Sequence, residues 1–293
     1  MSAPFTIEAP TALGDALELL AQGDETVRVV GGGTGLTILM KYGFFEPTKL
    51  INLGRLPAEY ARIEAAENGD LHIGALATLR AVERASDVAQ HAPVLVQTMA
   101  RLSTVRVRNV ARVGGAIAHG HPQMDLPPVL IALGARVKVE SIHGSRWIDA
   151  EDLFLGYYET AIRDDEIVTA VMVPARPSTR ARYRKVTART QDDWPLLGLA
   201  ASATTENGTV TGLRAAIGGI TDSATLLPDV ASQLVGSAPT RDRLDEVAQD
   251  VAGTLDFHDN GNGSARYQRH LVGVHLRLLL EDVLLNSNGK GRA

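Results

Sequence analysis

The architecture of this chain is set by one stretch near its N-terminus, Val27-Arg28-Val29-Val30-Gly31-Gly32-Gly33-Thr34-Gly35-Leu36. A short β-branched run leads directly into three glycines and Thr34, and apolar residues at helical spacing follow through Ile38 and Met40. A strand, a glycine loop and a helix in this order bring the backbone close to a phosphate, because glycine lacks the Cβ atom that would hold a ligand away. The stretch therefore predicts a loop that holds the diphosphate of a nucleotide cofactor.

The first loop alone leaves a second interpretation open, that of an ordinary tight turn between a strand and a helix. It is not a Walker loop, because no Gly-Lys-Ser/Thr follows, and it lacks the spacing and the later acidic residue of a dinucleotide-binding fingerprint. A second stretch, Ala111-Arg112-Val113-Gly114-Gly115-Ala116, predicts another glycine turn in a different lobe. Two such turns favour nucleotide binding.

Length, charge and composition exclude several classes of protein. The chain has 293 residues, enough for two domains, and its net charge of −5 with scattered basic residues argues against nucleic-acid binding. The absence of cysteine excludes disulfides, a cysteine nucleophile, thiolate zinc and a Cys-ligated iron–sulfur cluster within this chain. No apolar run approaches the length of a membrane span and no signal-peptide pattern is present, so we expect a cytoplasmic protein.

Hydrophobic patterning predicts an N-terminal domain over residues 1–176 that is built from two lobes. Residues 1–56 have the pattern of a small β–α–β unit, and residues 57–176 alternate helices and strands. In the second lobe, Thr78 and Asp125 stand where N-caps of helices are expected.

Residues 177–287 have the pattern of a second domain, which begins after the polar, proline-containing stretch 174–178. Helices follow its strand-like runs, and the pair Asn207-Gly208 is a strong hairpin signal. We therefore predict an α+β fold with a three-stranded antiparallel sheet in this domain, and a flexible tail over residues 288–293. The three predicted strands are Tyr183–Thr190, Leu197–Thr205 and Thr209–Ile217.

Two longer signatures carry a resemblance that covers nearly the whole chain. The first combines Gly31–Leu36 with Met40-Lys41 and Pro47–Leu53, and the second combines Arg108–Ala116 with Pro122–Pro128. The first signature resembles Ala-Gly-Gly-Thr-Asp-Leu, followed by Met-Lys and then Pro-x-x-Leu-Ile-Asp-Leu. The second signature resembles Arg-Asn-x-x-Thr-Ile-Gly-Gly-Asn, followed by Pro-x-x-Asp-Leu-Pro-Pro. These are signatures of the FAD-binding medium subunit of the molybdenum hydroxylases, the xanthine dehydrogenase and carbon monoxide dehydrogenase family.

The resemblance implies a two-lobed FAD-binding domain of the vanillyl-alcohol-oxidase/PCMH type and a small C-terminal domain that closes over the flavin. Backbone groups of both glycine stretches would wrap the diphosphate and ribityl chain, and Asp125 would accept hydrogen bonds from a cofactor hydroxyl. Ile167 and Val168 would lie against the adenine. Lys185 would stabilise negative charge on the reduced flavin, and Trp194 would shield or gate the ring.

The resemblance makes nineteen residues candidates for cofactor binding. Three of them depart from the family pattern, since Gly35 replaces an acid, Arg112 a threonine and Ala116 an asparagine. A guanidinium at position 112 is able to pair with a phosphate or to point to solvent. The candidates are Val30, Gly31, Gly32, Gly33, Thr34, Gly35, Leu36, Ala111, Arg112, Gly114, Gly115, Ala116, Ala118, His119, Asp125, Ile167, Val168, Lys185 and Trp194.

Some of these residues admit other interpretations. His119 and His121 with Asp125 have a pattern that is able to hold a metal ion, but short motifs of this kind match by chance, so we assign no metal ligand. Lys185 is alternatively a solvated strand lysine, and Trp194 alternatively fills a core.

The resemblance implies an electron-transfer subunit with no catalytic residue of its own. FAD in this chain would pass electrons from [2Fe–2S] clusters in a small partner subunit to an external acceptor. A large partner subunit would carry the molybdenum cofactor, in a dimer of heterotrimers, and the absence of cysteine here fits that division of labour. The alternatives are a free-standing FAD-dependent oxidoreductase with its own substrate pocket, similar to the cell-wall UDP-sugar reductases, and a scaffold that has lost its flavin.

Overall fold

The computed structural model describes residues 4–261 and 263–285, and the predicted tail at residues 288–293 lies outside them. Within the described residues, helices and strands are mixed along the chain, which confirms the predicted α+β class. A first lobe, a second lobe and a C-terminal unit follow one another, and each contains a sheet.

The first lobe is the small β–α–β unit that the sequence predicts. Its elements are β1 (Thr6–Glu8), α1 (Leu13–Ala21), β2 (Val27–Val30), α2 (Leu36–Lys41) and β3 (Lys49–Asn52). The strands pair in the order β1–β3–β2, and both pairings are parallel. The connection between β2 and β3 contains α2, and the longer connection between β1 and β3 contains α1, β2 and α2. The apolar face of α1 packs on Val27 and Ile51 and on Leu76 and Ile167 of the second lobe.

The second lobe surrounds an antiparallel sheet with short helices. Its elements are β4 (Ile63–Ala65), β5 (Leu71–Gly74), α3 (Leu79–Arg84), α4 (Ser86–His91), α5 (Pro93–Arg101), α6 (Val105–Val110), α7 (Val113–Ala118), α8 (Leu126–Leu133), β6 (Arg136–Ser141), β7 (Gly144–Asp149), β8 (Phe154–Gly156), β9 (Glu159–Thr160) and β10 (Ile167–Val173). Five strands pair in the order β4–β5–β10–β6–β7, and β8 pairs with β9 as a separate hairpin. Thr78 caps α3 as predicted, because its hydroxyl accepts a hydrogen bond from the Ala81 N–H at 2.9 Å.

Helix α8 joins the second lobe to the C-terminal unit. All of its residues are buried, as expected for a helix that is apolar on every face. Pro127 and Pro128 lie in its first turn, where the missing N–H groups are not needed, and Gly134 ends it with a φ of +64°. Asp125 occupies the predicted N-cap position, but its side chain makes no capping hydrogen bond, because its carboxylate is bound by residues of the next sheet.

The C-terminal unit contains β11 (Thr179–Val186), β12 (Leu197–Glu206), β13 (Thr209–Gly218), β14 (Thr225–Leu226), α9 (Pro228–Leu234), α10 (Arg241–Thr254) and α11 (Ala265–Leu284). The strands form one antiparallel sheet in sequence order, so the predicted three-stranded sheet has a fourth strand. A two-residue strand is too short to show alternation in the sequence. Asn207 and Gly208 have φ values of +49° and +82°, which confirms the predicted hairpin turn.

The first strand of this sheet ends earlier than predicted, at Val186. Residues that follow it form a loop, in which the Asp193 carboxylate accepts a hydrogen bond from the Thr190 N–H at 3.1 Å. This loop carries Trp194 to the second lobe. In the part of the chain that the structure describes, no helix has the length and apolar character needed to cross a bilayer.

Candidate cofactor-binding site

A cavity of about 1070 Å³ lies between the two lobes and reaches the C-terminal unit. Its volume is at the upper end of the range for small-molecule and cofactor sites, roughly 300–1,000 Å³. The first lobe contributes its glycine loop, the second lobe contributes α7 and parts of the stretch 157–166, and the C-terminal unit contributes residues 192–194. An extended ligand in this cavity contacts all three parts of the chain.

The first glycine loop forms one wall, and every residue from Val30 to Leu36 lines the cavity. Gly33 has a φ of +70°, a conformation that favours glycine. Gly32 lies so close to the second lobe that an added Cβ atom would be 2.2 Å from the carbonyl oxygen of Val110. The loop thus meets both the opposite lobe and the cavity through bare backbone, as a phosphate cradle requires.

The second glycine stretch is not the predicted turn, because both glycines lie within helix α7. Gly114 faces Ala75, and a Cβ added to it would be 2.8 Å from the Ala75 Cβ. Gly115 faces the cavity, and a Cβ added there would have no atom within 4 Å. One glycine therefore lets α7 pack closely and the next leaves room for a ligand. The other candidates of this stretch that line the cavity are Ala111, Arg112, Ala116, Ala118 and His119.

Arg112 lies against the first glycine loop. A Cβ added to Gly31 would be 3.1 Å from the Arg112 Cγ, and the Arg112 Nη1 donates to the carbonyl of Leu76 at 2.7 Å. The guanidinium therefore has a fixed position at the cavity wall, with N–H groups that this single bond does not use.

A buried polar network joins the cavity wall to the C-terminal unit. The Tyr183 hydroxyl donates to Asp125 Oδ1 at 2.8 Å. The Lys185 Nζ lies 3.2 Å from both oxygens of the same carboxylate and donates to the carbonyl of Arg101 at 2.9 Å. Burial raises the pKa of Asp125 even though Lys185 and Tyr183 oppose that shift, and burial raises the pKa of Tyr183 well above its usual range. Asp125 lines the cavity, whereas the Lys185 side chain is 2% exposed and does not.

Ile167 and Val168, the candidate adenine contacts, also do not line the cavity. Ile167 packs in the core of the first lobe, and Val168 packs in the core of the second. Residues Ile162–Asp164 and Glu166 line the cavity instead. The Glu166 carboxylate accepts hydrogen bonds from Arg146 at 2.7 and 2.8 Å. Burial alone would raise the pKa of Glu166, but the bonds to Arg146 outweigh burial and the pKa is lowered. This ion pair fixes the loop that forms the wall.

The sequence did not reveal that the cavity opening is lined with aromatic rings. The Trp194 ring centroid lies 4.3 Å from that of His121, which in turn lies 4.9 Å from Tyr158 and 5.4 Å from Tyr157. His119 joins the group at 5.1 Å from Tyr158. We call these residues, Tyr157, Tyr158, Trp194, His119 and His121, the aromatic rim. The adjacent tyrosines between β8 and β9 were the signal available in the sequence.

Both histidines of the rim are neutral near pH 7. Burial lowers the pKa of His119, and burial together with the neighbouring His119 lowers the pKa of His121 to about 4. The His121 Nδ1 accepts a hydrogen bond from the Gln123 N–H at 3.0 Å, so its proton is on Nε2. Across residues 4–261 and 263–285, no group of three or more His, Cys, Asp or Glu side chains is arranged to hold a metal ion.

Arg108 supports the cavity from behind. Its Nε donates to Glu83 at 2.9 Å, and its Nη1 donates to the carbonyl of Ser103 at 2.6 Å. Ser103 has a φ of +53° and lines the cavity. A buried arginine with a charged partner therefore holds a strained residue of the wall in place.

Comparison with known families identifies the class of this protein. Residues 3–176 match the family described as the FAD binding domain in molybdopterin dehydrogenase, and residues 182–283 match the CO dehydrogenase flavoprotein C-terminal domain. The chain belongs to the FAD-binding flavoprotein subunits of the molybdenum hydroxylases, a group of oxidoreductases, which confirms the predicted family. The cavity fits FAD, because it is long enough to contact three parts of the chain and its walls expose glycine backbone.

Individual relatives span nearly the whole chain. The nicotine 6-hydroxylase medium subunit of Paenarthrobacter nicotinovorans is 32% identical over 92% of this chain and 93% of its own length. The carbon monoxide dehydrogenase medium chain of Hydrogenophaga pseudoflava is 29% identical over 94% of this chain and 96% of its own length. A solved structure of carbon monoxide dehydrogenase from the latter organism, lacking the Mo-pyranopterin moiety, matches with a TM-score of 0.92 and 28% identity over 97% of this chain and 98% of that one.

Proposed function

We propose that this chain passes electrons from the iron–sulfur clusters of a partner subunit to an external acceptor, through FAD bound in the interlobe cavity. The observation that carries the proposal is the joint lining of one cavity of about 1070 Å³ by the glycine loop, α7 and residues 192–194. When bound, FAD supplies both one-electron and two-electron chemistry. The family to which the chain belongs supports the choice of cofactor.

In this proposal, backbone N–H groups of the loop Gly31–Leu36 and of α7 bind the diphosphate, and Arg112 adds the N–H groups that Leu76 does not occupy. The Asp125 carboxylate faces a cofactor hydroxyl. Lys185 acts on the flavin through Asp125, whose charge it balances, rather than by direct contact. Ile167 and Val168 support the wall at the adenine end, and Trp194 covers the ring.

The clusters and the molybdenum cofactor are assigned to other chains. This chain has no cysteine to ligate a cluster. Relatives named as a medium subunit and a medium chain support a heteromeric assembly. We propose a small subunit with [2Fe–2S] clusters, a large subunit with the molybdenum cofactor, and a dimer of heterotrimers. The cytoplasmic location and the division of the chain after residue 176 stay predictions, which cell fractionation and limited proteolysis test.

Co-purification and anaerobic reduction test this function. We expect the tagged chain to bind FAD on its own, with a flavin absorption spectrum, and to recover iron and molybdenum when it is expressed with its partners. In the assembled complex, stepwise reduction of the clusters is expected to be followed by bleaching of the flavin band. A chain that stays colourless after addition of FAD contradicts the proposal. A monomer that reduces a substrate without partners supports the free-standing oxidoreductase instead.

A further inference from the structure

A smaller cavity of about 200 Å³, which we call the second cavity, adjoins the first glycine loop. Gly31 lines both the second cavity and the larger cofactor cavity. Gly54, Pro57 and Ala58 also line the second cavity and are exposed to solvent. A small molecule is therefore able to enter this space from solvent and to lie next to the loop that forms the cofactor wall.

Arg112 joins the two cavities, because it lines both of them. Its Nη1 donates to the carbonyl of Leu76 at 2.7 Å, and Leu76 lines the second cavity but not the cofactor cavity. Among the described residues, no carboxylate forms an ion pair with the Arg112 guanidinium. The guanidinium is thus anchored at the second cavity with N–H groups that are available to an anion.

The other side chains of the second cavity are apolar. Arg112 is the one ionisable residue among the described residues that line it. Inorganic phosphate needs several donors to replace its water, and apolar side chains offer none. An organic carboxylate suits the wall better, because its two oxygens match the guanidinium fork and its hydrocarbon part covers apolar surface. The apolar lining residues are Leu56, Pro57, Ala58, Ala61 and Leu76.

Charged residues near the second cavity do not line it, and they offset one another. Arg55 and Glu59 are sequence neighbours of lining residues, and Arg62 forms an exposed ion pair with Glu64 at 3.8 Å. Two cations therefore stand against two carboxylates outside the cavity. The charge that a ligand meets inside it is that of Arg112.

We propose that the second cavity binds a small organic monocarboxylate through Arg112. The binding of the carboxylate is independent of the proposed electron transfer, whereas its effect on FAD rests on the proposed cofactor site. The same guanidinium is proposed to donate to the cofactor diphosphate, so a carboxylate occupies N–H groups that FAD would use and brings negative charge beside it. Carboxylate and FAD therefore weaken each other's binding, and linkage makes the factor equal in both directions.

Titration of the full-length chain with benzoate at constant ionic strength tests the proposal. Benzamide is the uncharged analogue of the same shape, and inorganic phosphate is the anion without an apolar part. Isothermal titration calorimetry measures binding of each probe to the FAD-free chain. We expect saturable binding of benzoate, and binding of benzamide and phosphate that is weaker by about tenfold or more, because a hydrogen-bonded charge pair or the apolar contact is lost.

FAD titrations at increasing benzoate concentration distinguish the two cavities. Arg28 and Arg163 also line the cofactor cavity, so benzoate bound there would compete directly with FAD. The apparent dissociation constant of FAD would then rise in proportion to benzoate without limit, which overturns the proposal. Simultaneous binding in separate cavities instead gives a plateau, which we expect at about a fivefold increase.

Two variants of Arg112 and one neighbouring control test the assignment of the residue. Arg112→Thr is expected to abolish benzoate binding and the benzoate dependence of FAD binding. Arg112→Lys keeps the charge without the planar fork and is expected to bind benzoate about tenfold more weakly. Arg55→Met removes an exposed cation that does not line the cavity, and its benzoate affinity is expected to change little. Circular dichroism checks that each variant is folded.

The other outcomes decide against the proposal in separate ways. Equal binding of benzamide and benzoate contradicts the role of the Arg112 charge, and this comparison needs no variant. Binding of phosphate without benzoate contradicts the ligand class. Benzoate binding that survives in folded Arg112→Thr moves the ligand away from Arg112. Failure of the chain to bind FAD contradicts the proposed function alone, since benzoate binding to the FAD-free chain still decides this proposal.

Discussion

Lys185 and Asp125 form a closely buried ion pair that no single stretch of sequence contains. Their side chains are 2% and 6% exposed, and 60 residues separate them along the chain. Each was a candidate for direct contact with the cofactor. The structure gives them a shared position, in which the lysine neutralises a carboxylate at the cavity wall and ties β11 to the start of α8.

Substitution of Lys185 by methionine leaves the Asp125 charge without its partner in a buried site. We expect Lys185→Met to lower the free energy of unfolding at neutral pH by about 3–5 kcal/mol, the usual cost of breaking a buried pair. Urea unfolding at neutral pH measures the loss. Arg243→Met, which removes an exposed pair with Glu246, is the matched control and is expected to cost at most about 1 kcal/mol.

The same variant has a predictable pH dependence. The pKa of Asp125 lies above 3.8 in the folded chain, so the folded form binds this proton more readily than the unfolded form. The resulting stabilisation is present at low pH and is lost as the pH rises through the folded pKa. Without Lys185 that pKa rises further, and the stability deficit of Lys185→Met is therefore expected to shrink as the pH falls towards 4. A deficit that stays constant with pH contradicts this account.

Residue identity was enough to locate part of the site. The run from Val30 to Leu36 is recognisable as a candidate because a second glycine stretch and the family signatures accompany it, and the structure brings all of it to the cavity. The position of Tyr157 at the cavity was not recognisable, because an aromatic residue in a turn has the same appearance in the sequence whether it faces solvent or lines a cavity. The candidate Gly114 packs on Ala75, and sequence alone does not reveal which of two adjacent glycines makes that contact.

At the scale of elements, helix α7 shows how packing decided a local structure that composition left open. Two adjacent glycines favour a turn by propensity. Tertiary contacts override that preference here, because the N–H groups of Val113 and Gly114 donate to the carbonyls of Ala77 and Ala75 at 3.0 and 2.8 Å. Two signals predicted elements correctly, the Thr78 cap and the Asn207-Gly208 hairpin. Both depend only on a local hydrogen bond or a local φ value, so no contact with a distant part of the chain is needed to recognise them.

Alanine substitutions at the two glycines of α7 separate packing from binding. Gly114→Ala forces a methyl group against Ala75 and is expected to lower the free energy of unfolding by about 1–3 kcal/mol. Gly115→Ala meets no atom within 4 Å, so we expect unchanged or slightly higher stability, because alanine favours a helix. The methyl group of the new alanine at position 115 enters the cavity, so the affinity of the Gly115→Ala variant for FAD is expected to fall. Urea unfolding and FAD titration of both variants measure the two effects. Equal stability losses at both positions contradict this division of roles.

At the scale of the whole molecule, the cavity lies where three parts of the chain meet. The core of the first lobe includes Leu76 and Ile167 of the second lobe, and the second lobe shares α8 with the C-terminal unit. The loop with Trp194 crosses back to the second lobe. Sequence patterns predicted helices and strands within each part, because the spacing of apolar residues along the chain indicates each element locally. They did not predict how the parts meet, because the contacts that hold them, such as Ser202 with the Ala132 carbonyl, join residues far apart in the chain.

Binding of FAD is expected to protect all three parts together. A ligand that binds only the folded form at about 100 times its dissociation constant stabilises that form by about 2.7 kcal/mol. Hydrogen exchange with increasing FAD is expected to slow in the glycine loop, in α7 and around Trp194 with one common concentration dependence, because one molecule bridges these walls. Helix α10 packs away from the cavity and serves as the internal reference. At low FAD concentrations, the hydrogen-exchange rates of its amides are expected to change little. Protection confined to one lobe contradicts a cofactor that extends across the cavity, and assigns the remaining walls to another ligand.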